Sequence, residues 1–455
     1  MLSELTERRV SLAVTVAAVI VFAALLLAAP PFYPSFDEWK YFGIGYQFWA
    51  GHGITTVFGG LFLLHGPIWP ILVTAPHVFL GWDTPSWGRF LDALSGTAIV
   101  ALAGWFGWRI RPTAGALAAV AMVALLYLHD QTRTARLDVP AAAFALLYVA
   151  VAIEAVRRGS VRWAIAAGAF FAIGFLIKEI VLPFAPVPFL AGVAWGRPWV
   201  VVGRVAAWTL LVATIGISWW FALYAIELGR FYRLETPAWT LIPVAIAIVI
   251  LIAIGLGGER LAATERIRRF AGSGSKPRID RYARWVVAYG GTALWSGLQL
   301  YAYTRTSRLK GGPILTLGQL ELYARQWFVP YLLIVVIGIV AILLSFVALV
   351  AYRRSREREP IVDLLIASIC GAPLVLLVVG VGEPPRNYIA QIAIAAGLGA
   401  IGVLWAIEWV LTERRWFLTA AAGALAGAAA GVSVFLSLRF RSVWLGGLVG
   451  AVGGA

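Results

Sequence analysis

Two adjacent carboxylates, Asp37 and Glu38, stand near the head of the segment PFYPSFDEWKYFGIGYQFWA, residues 31–50. A carboxylate can take the proton of an attacking hydroxyl, or share in holding a divalent cation. Trp39, Phe42, Tyr46 and Trp49 follow at spacings of 3, 4 and 3, so on a helix they share one face. Such a stripe suits a membrane–water boundary, with the rings at headgroup depth. Asp37 then heads an interfacial helix, where the helix dipole favours a negative charge. A simple helix cap accounts for the same residue equally well, with Glu38 as its solvated neighbour.

Further chemistry-bearing groups recur along the chain. Asp138 closes the stretch HDQTRTARLDVP, residues 129–140, just before Pro140, and reads either as a cap or as a reacting group. Arg133 and Arg136 share that stretch. Lys178 and Glu179 sit at a tight turn between two apolar runs. Lys178 has the long stem of a snorkelling side chain, but an ionisable pair at membrane depth is by default a functional candidate. Arg305, Arg308 and Lys310 form a basic cluster, and Glu383-Pro384-Pro385-Arg386-Asn387-Tyr388 forms a short turn. The planar guanidinium of Arg386 matches phosphate geometry; a solvated turn residue is the plain alternative. The four His are 52, 65, 77 and 129. His65 near Asp37 suits metal or proton-transfer chemistry, whereas His52 and His77 read as amphipathic boundary residues.

The elements that must position these groups are membrane helices. The 455 residues are 61% hydrophobic and 13% charged, with mean hydropathy +0.85. A soluble globular protein is about a quarter charged, and an outer-membrane barrel alternates apolar and polar positions. Apolar runs of nearly 20 residues instead recur from end to end, so the chain reads as an all-α polytopic membrane protein. Thirteen spans are expected, at about 10–29, 88–108, 113–129, 139–156, 162–177, 180–195, 202–225, 238–256, 285–304, 328–350, 361–381, 389–410 and 417–437. Residues 66–80 are apolar but short and carry Pro67, Pro70 and Pro76. They read as re-entrant or interfacial, which makes residues 30–88 one external loop holding juxtamembrane helices.

Charge orients this arrangement. Of the 37 Lys and Arg, 23 fall in segments placed on the cytoplasmic side, including 8–9, 109–111, 157–162 and 260–284. Letting 66–80 span would move seven of those Arg outside, against the positive-inside rule. The N-terminus is therefore expected in the cytoplasm, with the first helix retained because its apolar run is longer than that of a signal peptide. All four His and the sites above fall outside. The +15 net charge reflects this orientation rather than a nucleic-acid partner. The basic loop 257–284 is expected to lie on anionic membrane lipids, and no phosphate-binding glycine loop is present. The single Cys370 excludes an internal disulfide framework.

The ordered set of motifs resembles the GT-C membrane glycosyltransferases, in the branch holding protein O-mannosyltransferases and the lipid A aminoarabinose transferase. Asp37-Glu38 matches the acidic pair opening the first external loop. His65-Gly66-Pro67 stands where that family has a Lys-Pro-Pro-like turn. Arg89 through Gly96 matches an Arg and small-residue opening of the next span. Asp138 with Pro140 matches a second external Asp, Gly168 through Lys178 a Gly-rich helix ending in Lys, and Arg386-Asn387-Tyr388 a late Arg-x-Tyr turn. The match is close over about residues 10–230, read as a catalytic module, and loose over 231–455, read as variable helices of the same single domain. No soluble C-terminal domain of the kind some relatives carry is expected.

The resemblance implies a bacterial inner-membrane enzyme that takes a hexosyl or pentosyl group from a polyprenyl-phosphate donor. The acceptor hydroxyl belongs to a lipid, glycan or protein, and transfer takes place on the external face. A phosphate leaving group needs cations nearby rather than a general acid. Arg136, Lys178, Arg386, Tyr388, Arg305 and Arg308 are the implied phosphate contacts. Asp37 is the implied base, Asp138 the second choice and Glu38 an orienting group, and single displacement inverts the sugar carbon. Family members differ in metal use, so a divalent ion near Asp37, Asp138 and His65 stays an open alternative to none. A secondary transporter or lipid flippase would instead carry its charges at mid-helix, on broken and repeated helices. A non-catalytic assembly protein would leave the ordered external charges without a role.

Overall fold

The computed structural model describes residues 2–28, 36–60, 65–228, 241–263, 277–304, 358–381 and 389–413. The expected spans 328–350 and 417–437 lie outside the described residues, as do Arg305, Arg308, Lys310, Arg386 and Tyr388. The regular structure described is helical. Four helices are long and apolar enough to cross a membrane: Glu4–Ala28, Thr84–Trp108, Asp138–Arg158 and Trp199–Glu227. Shorter apolar helices pack among them, and the polytopic all-α expectation holds.

The bundle is built around one buried helix. Helix α1 (Leu2–Ala28) packs on α4 (Thr84–Trp108) and α5 (Pro112–Ala124). Asp83 caps α4, accepting from the Ser86 amide at 2.8 Å. Hydrogen bonding by the Ser86 side chain is the main reason its carboxyl is held below the ordinary 3.8, with the amide bond adding to it against a smaller opposing effect of burial. Helix α7 (Asp138–Arg158) is buried around nearly its whole circumference, with Ala141, Ala145, Val149, Ala152 and Ile153 sealed from solvent. A helix apolar on all sides belongs at the centre of a bundle. It contacts α4, α8 (Val161–Ile177), α9 (Val187–Ala194) and α10 (Trp199–Leu228). Beyond these come α11 (Leu241–Ala263), α12 (Pro277–Thr304), α13 (Arg358–Val381) and α14 (Ile389–Glu413). Helix α14 lies against α4 and α5, and α13 against α9, α12 and α14.

The first loop contains two short helices, α2 (Phe36–Gln47) and α3 (Ile68–Leu80), packed on each other. At 13 residues α3 is too short to span, in keeping with a juxtamembrane segment. The aromatic stripe does not turn uniformly outward as expected. Trp39 is 57% exposed, but Phe42 is buried. Tyr46 hydrogen-bonds Thr84 at 2.6 Å, and Trp49 stacks edge-on against Phe79 of α3. Three of the four rings thus join this segment to its protein neighbours.

Two expected spans are interrupted. The run 113–129 breaks at Leu125, whose ψ of 89° ends α5; α6 (Leu126–Gln131) follows, and His129 Nε2 donates to the Val123 carbonyl at 2.8 Å. The run 180–195 is a tight 3₁₀ segment, Glu179–Phe184, followed by α9. Pro183, Pro186 and Pro188 remove amide donors there. The carbonyls this leaves are taken up by side chains of other helices: Trp295 donates to Pro183 O at 3.0 Å, and the Tyr148 hydroxyl donates to Ala185 O. A broken helix survives within a bundle because neighbours satisfy its backbone in this way.

Candidate functional site

Between α6 and α7 the amides of Ala135 and Arg136 lie beyond the reach of helical carbonyls, so side chains must supply their partners. Glu38, fully buried on α2, accepts from the Ala135 amide at 2.9 Å. Asp92, fully buried on α4, accepts from the next amide, that of Arg136, at 3.1 Å. Trp69 of α3 donates its indole N–H to Ala135 O at 3.3 Å. Gly88 of α4 permits the close approach: a Cβ there would stand 2.5 Å from that of Ala135. Three elements of the first loop and α4 therefore fix the two residues that precede Leu137 and Asp138.

Asp138 begins α7 and is buried, and the Lys178 ammonium lies 2.5 Å from its Oδ1. Lys178 sits just past α8 in an extended conformation, its amide still donating to Gly174 O at 2.9 Å. The turn it occupies is closed from above by the first loop. Gly66 rests directly on the Leu176 backbone, where an added Cβ would come within 1.9 Å of the carbonyl oxygen. His65 Nδ1 lies 3.4 Å from Glu179 Oε2. Glycine is required here by space alone, which accounts for Gly66 where the resembling family has Pro.

One end of the bundle thus gathers Glu38, Asp92, Arg136, Asp138, Lys178, His65 and Glu179. Asp92 is within electrostatic reach of Glu38, Asp138 and Arg136. Asp37 occupies the position before Glu38 in the first turn of α2 and is half-buried. Arg136 is half-buried, with an Nε that reaches no hydrogen-bond partner. Such a set can present cations and a carboxylate to one anionic ligand. Asp92 and Trp69 are parts of this arrangement that residue type and spacing did not single out. Their partners are backbone atoms far away in sequence, so no local pattern marks them.

The residues present do not form a ready metal centre. Among the described residues no three His, Cys, Asp or Glu side chains converge in a way that could hold an ion. His65 faces Glu179 and Asp138 faces Lys178, and the adjacent ammonium would repel a cation at Asp138.

No protein-family model and no curated protein matches the chain. Solved structures do. The oligosaccharyltransferase of Archaeoglobus fulgidus in the apo form matches over 98% of this chain and 56% of its own, with 16% identity and a TM-score of 0.58. The same enzyme, AglB, with an inhibitory peptide and dolichol-phosphate matches at TM-score 0.56 and 15% identity, over 97% of this chain and 55% of its own. A further structure of it contains Zn and sulfate. ArnT from Cupriavidus metallidurans bound to undecaprenyl phosphate matches over 97% of this chain and 74% of its own, with 16% identity and a TM-score of 0.50. The chain spans a little over half the length of the oligosaccharyltransferase structures. The chain shares the fold of these oligosaccharyltransferase and ArnT structures, the kind of fold the ordered motifs led us to expect.

Proposed function

We propose that the protein is a glycosyltransferase that moves a hexosyl or pentosyl group from a polyprenyl-phosphate donor to an acceptor hydroxyl on a lipid, glycan or protein. The observation that carries this reading is the clamped loop. Arg136, its backbone pinned by Asp92, stands two residues before Asp138, whose carboxylate pairs with Lys178, at one end of a GT-C fold, where a phosphate leaving group needs fixed cations. By charge distribution this end faces the outside of a bacterial inner membrane, with the N-terminus in the cytoplasm.

The acceptor oxygen attacks the anomeric carbon as the bond from that carbon to the donor phosphate oxygen breaks. The electron pair leaves with the polyprenyl phosphate, and its added negative charge is met by Arg136 and Lys178. Arg386, Tyr388, Arg305 and Arg308 are further proposed contacts from segments beyond the described residues. The hydroxyl proton passes to a carboxylate. We assign that role to Asp37, in the first turn of α2 beside Glu38, where the helix N-terminus favours a negative charge. A single displacement inverts the anomeric centre. A transporter or flippase is the less supported alternative, since Arg136, Asp138 and Lys178 occupy helix ends and turns rather than mid-helix positions.

The test is Asp37→Asn in the purified full chain, reconstituted in liposomes with polyprenyl-phosphate sugars and a membrane extract as acceptor. Loss of a positioned base is expected to slow transfer by about 10²–10⁴-fold, with insertion and donor binding unchanged. Turnover at the native rate would remove Asp37 from the mechanism.

A further inference from the structure

We propose that Asp92 is a positioning residue that sets Arg136 against the donor phosphate through one hydrogen bond to its backbone amide; this rests on the donor class proposed above. Glu38 and Asp92 come from two different helices yet accept from consecutive amides, those of Ala135 and Arg136, at 2.9 and 3.1 Å. The segment lies between the end of α6 at Gln131 and the start of α7 at Asp138, so no helical carbonyl is available to either amide. Two ionisable side chains do what two neutral acceptors would suffice for.

Asp92 is 0% exposed, and its second oxygen, Oδ1, accepts no hydrogen bond among the described residues. Its position explains its carboxylate in one way only: Oδ2 orients the Arg136 amide, and the short side chain of Asp spans the gap that Gly88 and Gly96 leave between α4 and the loop. Cβ atoms at those glycines would stand 2.5 Å from Ala135 and 2.2 Å from Thr132. The loop therefore seats flush on one face of α4, and Asp92 pins it there between the two small residues. Arg136 projects from this pinned backbone with its Nε buried and without a partner. Asp92 acts through geometry and not through charge: what it supplies to Arg136 is one acceptor oxygen, Oδ2.

That distinction gives the proposal a signature. Asp92→Asn keeps an acceptor for the Arg136 amide and removes the charge. Asp92→Ala removes both. Binding of undecaprenyl phosphate to the detergent-solubilised full chain is measured by native mass spectrometry, with monodispersity checked for each variant. We expect D92N to bind at least as tightly as the native chain and D92A to bind at least tenfold more weakly. A D92N variant weakened tenfold overturns the proposal even if D92A fails to fold, and so does a D92A variant that binds like the native chain. Transfer abolished in D92N with binding intact would make Asp92 a reacting group and overturn the positioning role. A native chain that binds no undecaprenyl phosphate overturns the donor assignment itself, and with it this inference. The first three results leave that assignment standing.

Discussion

Replacing Lys178 by Met separates what the Lys178–Asp138 pair does for stability from what Lys178 does for binding. The two side chains are 11% and 5% exposed, at 2.5 Å, so the pair sits close to the buried limit. Removing one member of a buried pair costs about 3–5 kcal/mol, because the other charge is left behind without its counterion. Met retains the volume of the lysine stem, so little packing is lost. Residual exposure places the expected cost near the lower bound, about 3 kcal/mol. Replacing both residues, as K178M with D138L, removes the stranded charge, and such double replacements are commonly neutral or better. The double variant forgoes the favourable position of Asp138 at the start of α7, about 0.3–1 kcal/mol. It should therefore recover to within about 1 kcal/mol of the native chain. The assay is the midpoint of thermal inactivation in one detergent, read beside undecaprenyl phosphate binding. The expected pattern is a low midpoint for K178M, a restored midpoint for the double variant, and weak binding in both. A double variant no more stable than K178M would refute the electrostatic origin of the loss. Restored binding in it would remove Lys178 from the phosphate site.

Two further outcomes concern the supports of the site. Gly66→Ala forces a Cβ against the Leu176 backbone and should cost about 1–3 kcal/mol by overpacking, lifting His65 from Glu179; a lower thermal midpoint with weakened donor binding is expected, and a native midpoint would show that the first loop does not press on α8. Arg109 and Asp363 form a buried pair at 2.6 Å that joins the far end of α4 to α13. Arg109→Met should cost about 3–5 kcal/mol in the same thermal assay but leave donor affinity unchanged, because Asp92 and Arg109 are about 25 Å apart along α4 at 1.5 Å per residue.

The spans were legible because apolar length is a direct reading of bilayer thickness. The short helix α3 was legible for the same reason, and its prolines agreed. The break at Leu125 was not, since the sequence has neither Gly nor Pro there and the turn depends on packing such as that of His129 against Phe22. In 180–195 the three prolines were visible, but apolar character outweighed them in the reading. The decisive facts were the distant Tyr148 and Trp295 donors that make a broken segment tolerable. At the site, Glu38, Arg136, Asp138 and Lys178 stood out as ionisable groups where a membrane protein should have few. Asp92 did not, because a lone acid in an apolar helix carries no sign that its partner is a backbone amide 44 residues away.

The balance of charge explains why so many acids surround a site assigned to an anionic donor. Glu38, Asp92 and Asp138 would together repel a phosphate if each presented its full charge to it. Each is instead turned to a donor of its own: the Ala135 amide, the Arg136 amide and the Lys178 ammonium. These contacts hold the loop between α6 and α7 in place. Ordering that loop in advance lowers what must be ordered when the donor binds. Proton removal we assign to Asp37, which precedes Glu38 in the first turn of α2 and is half-buried.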